Sequence, residues 1–190
     1  KVVSRIELTR HLLQYVPQYV KPGTRPICAI SPGVLGTTGI ETGEIIKGIV
    51  EKVKPNILIV IDALASRKME RINTTIQISD TGIVPGSGVG NARNAITFDT
   101  MGIPVIAIGV PTVVEAAVIA NDALDLFVEK MQNEAKSNEV LNRLKEEDNY
   151  QEIKDALMPK EYNFIVTPKE IDELIENMSD VIAEGINMSL

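Results

Sequence analysis

The sequence has one cysteine, Cys28, and one histidine, His11. A lone cysteine rules out a disulfide within the chain, which suits a reducing cytosol. A lone histidine rules out a multi-histidine metal centre built from this chain, although carboxylates remain available as ligands. A Ser-His-Asp triad would have to recruit His11, and no nucleophile-elbow motif accompanies it. The simpler reading of His11 is a surface or packing role on the first helix. Long apolar runs are also missing. Asn56-Ile57-Leu58-Ile59-Val60-Ile61 stops at Asp62, far short of the roughly 20 residues a membrane helix needs. No charged start followed by an apolar stretch and a cleavage site is visible. There is no Gly-Lys-Ser/Thr, hence no P-loop, and no internal repeat. If the chain is a hydrolase, carboxylates are its natural catalytic groups.

What is present fits one folded domain. The 190 residues are 44% hydrophobic, enough to bury a core, and 24% charged, which argues against a disordered chain. The net charge of −7 argues against direct binding to a phosphate backbone. Cys28 lies in the apolar run Pro26-Ile27-Cys28-Ala29-Ile30, so the pattern predicts a buried structural thiol.

Along the chain, residues 5–16 read as an amphipathic helix ended by Pro17, and 25–30 as a short buried strand. A glycine-rich loop, 31–40, leads to a helix from Glu41 to about Val53. Residues 56–61 are apolar on both faces, as in a parallel sheet covered by helices. A loop or short helix is expected over Ala63–Arg71, a weak strand over Thr74–Ser79, and a loop over Asp80–Asn91. Another strand covers 104–109. Thr112 is expected to cap a helix over about 113–134. The polar stretch 135–161 reads as a solvated helical or mobile insertion. Thr167-Pro168-Lys169-Glu170 carries the pattern of a capping box before a terminal helix reaching about Met188. Strands alternating with helices predict a single α/β domain over 1–190, with a mainly parallel sheet flanked by helices. In such sheets function collects in loops at the carboxyl ends of strands.

Asp62 stands out, because a carboxylate at the end of an apolar strand is partly desolvated and can act as an acid or base. The competing reading is a cap on a short helix that follows. Asp80 precedes a loop with Gly82, Gly86, Ser87, Gly88 and Gly90, whose flexible backbone could present N–H groups to a carbonyl or a peptide main chain, or form a wide structural turn. Glu41 and Glu44 put negative charge at a helix start. The loop Gly33-Val34-Leu35-Gly36-Thr37-Thr38-Gly39 sits where a dinucleotide fingerprint would, with Asp62 at the end of the next strand. Its spacing is G-x-x-G-x-x-G, and the two glutamates oppose a pyrophosphate.

Several long runs resemble the germination protease family. They are Ile61-Asp62-Ala63-Leu64-Ala65-Ser66-Arg67, Ile76-Gln77-Ile78-Ser79-Asp80-Thr81-Gly82-Ile83 and Pro85-Gly86-Ser87-Gly88-Val89-Gly90-Asn91. Further runs are Gly102 through Val114, Val166 through Asp172, Ser31 through Gly36 and Thr38 through Thr42. The resemblance covers about residues 1–128 and 163–188. It implies a cytoplasmic endopeptidase of the spore core that degrades small acid-soluble spore proteins. It also implies a zymogen, a homotetramer, an aspartic-type mechanism without metal or other cofactor, and a fold similar to hydrogenase-maturation endopeptidases. Membrane or direct nucleic-acid partners are not expected. Asp62 corresponds to one of the family's two proposed catalytic aspartates. The other lies in a Thr-Pro-Asp-Ala-Leu-Gly-Pro run that falls before the segment starting at Lys1. The resemblance therefore implies that the fold is incomplete at its N-terminus, that the chain was truncated or processed, and that alone it is inactive. Three other readings stay open: a metal-dependent maturation-type peptidase with Asp62 as ligand, a nucleotide-binding module using Gly33–Gly39 and Asp62, and a non-catalytic binding or inhibitory fragment.

Overall fold

In the computed structural model, residues 1–87, 93–134, 155 and 164–189 are described. Two strands form its centre, β1 (Leu58–Ser66) and β3 (Val105–Glu115). They run parallel, from Leu58 opposite Val105 to Ser66 opposite Val114. Two short strands, β2 (Gln77–Ser79) and β4 (Ile165–Val166), pair antiparallel with β3, at Ala107–Gly109 and at Val114–Glu115. The order is β1-β3-β2, with β4 also beside β3. The sheet is thus mixed rather than mainly parallel. The reason is the short link between β1 and β2: a parallel return needs a crossover of a dozen or more residues, usually helical. Here only a 3-10 turn, Met69–Arg71, intervenes.

Between β2 and β4 the edge of β3 is completed by other donors. Asn73 N–H donates to the Pro111 carbonyl at 2.7 Å, and the Thr167 hydroxyl donates to the Thr112 carbonyl at 3.0 Å. Pro111 has no N–H to give, and the β1–β3 register slips between Leu64 and Ala65, skipping Thr112.

Helices cover both faces. On one, Ile46 and Val50 of α3 (Thr42–Val53) and Met101 of α4 (Phe98–Met101) meet Val105, with Ile96, Leu58 and Val60. On the other, α6 (Ile171–Met188) sets Met178, Ile182 and Ile186 against Ile59, Ile61, Ile106, Ile108 and Val110. α5 (Ala116–Glu134) follows β3 directly and buries Ala117, Val118 and Val128. The first residues are tied to α6. Lys1 pairs with Glu176 at 2.7 Å, Arg5 with Glu176 and Asp180, and Asn187 bonds the Glu7 N–H and the Arg5 carbonyl, each at 3.0 Å. Lys1 and Arg5 hold the Glu176 carboxyl below its ordinary pKa.

α3, the starts of β1 and β3, β2 and the end of α6 agree with the sequence pattern within a few residues. Other expectations fail for local reasons. Residues 5–16 give only α1 (Arg10–Tyr15), after a 3-10 turn at Val2–Arg5, and Leu8 and Leu12 are exposed. Residues 25–30 form no strand. The Ile27 carbonyl accepts the N–H groups of Thr9 and Arg10 at 3.2 and 2.9 Å, and Cys28 is exposed rather than buried. An apolar, β-prone run becomes a strand only when a neighbour offers a ladder. Within 31–40, a single turn, α2 (Leu35–Thr38), interrupts the loop between Gly33 and Gly39. Residues 63–66 are strand, not loop or helix, because β3 continues beside them. For the same reason Thr112 is a buried strand residue rather than a cap, and α5 opens at Ala116. The Thr167 hydroxyl is spent on β3, so α6 opens at Ile171 with Glu170 as N-cap and no capping box. Apart from Asp155, the polar stretch 135–161 lies outside the described residues.

Candidate functional site

Asp62 lies within β1, not at its end, and no helix follows it to cap. By strand alternation it shares a face with Leu58 and Val60, and it lies opposite Gly109. Gly109 matters for its lack of a side chain. A Cβ there would fall 2.3 Å from Leu64 Cδ1, so Leu64 occupies that space. Leu64 is two residues beyond Asp62 on the same face, so the carboxyl has an apolar neighbour on its own strand. Asp62 is half-buried. Burial raises its pKa above the ordinary aspartate value, opposed by the hydrogen bond that Ala63 N–H donates to Oδ1 at 2.9 Å. Such a carboxyl holds its proton to higher pH than a free one.

Further along the same face, the chain after β2 turns at Gly82. Its φ is +83°, and a Cβ would sit 2.2 Å from the Ile96 carbonyl oxygen, so only glycine fits. Ile83 and Ile96 then exchange backbone hydrogen bonds of 3.0 and 2.8 Å and close a loop. In its described part Gly86 has φ +73°, Ser87 N–H donates to Val84, and Arg93 N–H donates to Pro85 at 2.9 Å. Gly88 and Gly90 lie outside the described residues. The returning limb meets the start of α3: Arg93 faces Glu41 at 3.5 Å, and a Cβ on Gly43 would touch Asn94 Cβ at 3.4 Å.

The predicted site residues are therefore only partly assembled. Glu41 and the loop carrying Gly86 and Ser87 come together through Arg93, on the sheet face that also carries Asp62. No hydrogen bond or ion pair joins Asp62 to Glu41, Ser87 or Asp80 among the described residues. Asp80 is remote: Gln77 lies level with Asp62 across Gly109, and Asp80 is three residues past it toward the start of β3. That puts it about 10 Å across the sheet and about 10 Å along it. Glu44 and His11 are exposed. No strand leads into the Gly33–Gly39 loop, so the strand-loop-helix frame of a dinucleotide site is not formed there. Among the described residues no group of three or more His, Cys, Asp or Glu could hold a metal ion.

Three residues escaped the sequence reading. Arg93 could have been noticed as a cation inside a glycine-rich loop facing acidic helix starts. Gly109, a glycine within an apolar strand, is a known sign of close approach. Asn73 had no visible signal. It is buried in the left-handed region at φ +52°, and neither polar atom of its side chain has a hydrogen-bond partner among the described residues.

Comparison with known proteins adds to this geometry. A family model described as germination protease matches residues 1–145 and 136–190. The germination protease of Clostridium perfringens strain 13 is 54% identical over 194 residues, covering 100% of this chain and 60% of its own length. That of Clostridium acetobutylicum is 51% identical, covering 100% and 59%. That of Bacillus subtilis is 44% identical over 222 residues, covering 99% and 60%. The chain thus spans about 60% of the length of these relatives.

Proposed function

The chain belongs to the germination protease family, and from that premise we propose that it supplies one carboxyl, Asp62, of an aspartic-type endopeptidase acting on small acid-soluble spore proteins. The observation that carries this reading is the position of Asp62, half-buried beside an apolar neighbour with its pKa raised by desolvation. Hydrolysis of a peptide bond by two carboxyls needs one protonated and one ionised. The first polarises the carbonyl, and the second takes a proton from the attacking water. A carboxyl that keeps its proton more readily than a free aspartate suits the first role. The second carboxyl belongs to the part of the relatives that lies outside the match, so this chain alone does not cleave. Glu41, Gly86 and Ser87 form the wall along which the substrate main chain lies; Asp80 takes a position further along the substrate. The complete protein works in the spore core as a homotetramer made as a zymogen, without a cofactor.

The test joins this chain to the residues that a relative carries outside the match and assays cleavage of a purified acid-soluble spore protein. The joined protein should cut, and the folded Asp62→Asn variant should be slower by about 10²–10⁴-fold, the usual size of an acid–base contribution. A folded variant cutting at the parent rate would show that Asp62 is not the acid. Cleavage by the isolated chain would overturn the two-carboxyl reading.

A further inference from the structure

We infer that Leu64 is a positioning residue for Asp62: its side chain takes the place that a side chain at 109 would fill, and so closes the β3 flank of the Asp62 carboxyl to water. The inference deepens the acid role proposed for Asp62, and its effect on rate rests on that role. In register Leu64 pairs with Pro111, which is fully buried, yet the end of the Leu64 side chain lies over Gly109 instead. A Cβ on Gly109 would fall 2.3 Å from Leu64 Cδ1, 2.7 Å from Cγ and 3.2 Å from Cδ2. The whole branched end therefore stands over the residue that is level with Asp62. Partners on neighbouring strands hold their Cβ atoms about 5 Å apart on a shared face. At Asp62 that cross-strand neighbour is Leu64, reaching over from its own strand.

Two groups then hold the carboxyl. Ala63 N–H donates to Oδ1 at 2.9 Å, and Leu64 covers the side that faces β3. The hydrogen bond favours the charged form and burial favours the neutral one, burial being the stronger. No second charge competes with them on the adjoining strands. Asp62 is the one titratable residue of β1, β2 has none, and in β3 the one such residue is Glu115, at the end away from Gly109. On the same face Glu41, at the start of α3, pairs with Arg93, while Glu44, Lys47 and Asp99 are exposed. Opening the β3 flank would let water reach the carboxylate and favour its charged form.

Carbon-13 titration of the aspartate-labelled chain, with Asp62 assigned through Asp62→Asn, tests this without any activity readout. In Leu64→Ala the Asp62 carboxyl should give up its proton at lower pH than in the parent. Leu64→Thr keeps a larger, strand-forming residue, should move the midpoint in the same direction, and stands in if the alanine variant does not fold. Leu64→Met supplies a side chain of matching volume that reaches Gly109, and should return the midpoint to the parent value. An unmoved midpoint in the alanine and threonine variants would overturn the inference, and so would a methionine variant that titrates with the alanine one. The rate should follow in the joined protein. With a protonated Asp62 as the acid, kcat/KM falls as pH rises through its titration. In Leu64→Ala that fall should begin at lower pH, costing about tenfold in rate on the falling limb for each unit by which the midpoint has moved. A midpoint that moves while the rate profile stays put would uphold the shielding by Leu64 and remove the acid role from Asp62.

Discussion

β3 is buried at all but three of its eleven residues, whereas its parallel neighbour β1 is buried only at Ser66. Composition does not explain the contrast, because both strands carry aliphatic residues on both faces and meet the same two helical layers. Position does. β3 has β1 on one edge and β2, Asn73, Thr167 and β4 on the other. Among the described residues β1 has a neighbour on one edge only, so each of its side chains lacks the flank that an adjoining strand would cover. Burial in a sheet therefore depends on the number of neighbours as well as on the residue.

Ile61 and Ile108 give the sharpest measure of this difference. They are cross-strand partners on one face and contribute to one core cluster. Ile108→Ala should cost about 2–5 kcal/mol in urea unfolding of the isolated chain. Ile61→Ala should cost less, in proportion to the smaller area it removes from water. Equal costs in the isolated chain would break the comparison.

A smaller effect is expected where the two strands touch most closely. Gly109→Ala sets a Cβ 2.3 Å from Leu64 Cδ1 and forces that side chain aside. The expected cost is about 1–3 kcal/mol, the range of overpacked cores. Leu64→Ala in the same chain should recover part of it, because the clash disappears. A loss below about 0.5 kcal/mol for Gly109→Ala would mean that β1 yields at this point and is not held against β3.

The contrast also explains what could be read from the sequence. The paired core strands, α3 and α6 were legible because their apolar periodicity reports burial that the fold delivers. Asp62 was legible as a charge in an apolar run, although that charge suggested an end to β1 that the ladder with β3 overrides. Asp62 through Ser66 are held as strand by pairing with the stretch from Gly109 to Val114, and Val114 and Glu115 pair with β4, long-range effects that no local pattern carries. Cys28 failed in the opposite sense: the run around it has the pattern of a buried strand but no partner here. The grouping of Glu41 with Arg93 depended on a loop closed by Ile83 and Ile96, thirteen residues apart, and spacing gives no access to that.

The smallest effect concerns Asp62 itself. Its folded pKa lies above the unfolded value because burial disfavours the charge. Below the ordinary aspartate range the carboxyl is protonated in both states and carries no penalty. As pH rises through that range the unfolded chain loses the proton first, and stability falls until the folded pKa has been passed. Asp62→Asn keeps an acceptor for the Ala63 N–H and never ionises. The variant should therefore melt at nearly the same temperature as the parent in acid and at a higher temperature at neutral pH. The gap should open as pH rises through the ordinary aspartate range and stay constant once the folded pKa has been passed. A gap that does not depend on pH would trace the effect to packing rather than charge. A lower neutral Tm for the variant would mean that the ionised carboxylate is stabilised by the fold, and the proposed acid role would fall with it.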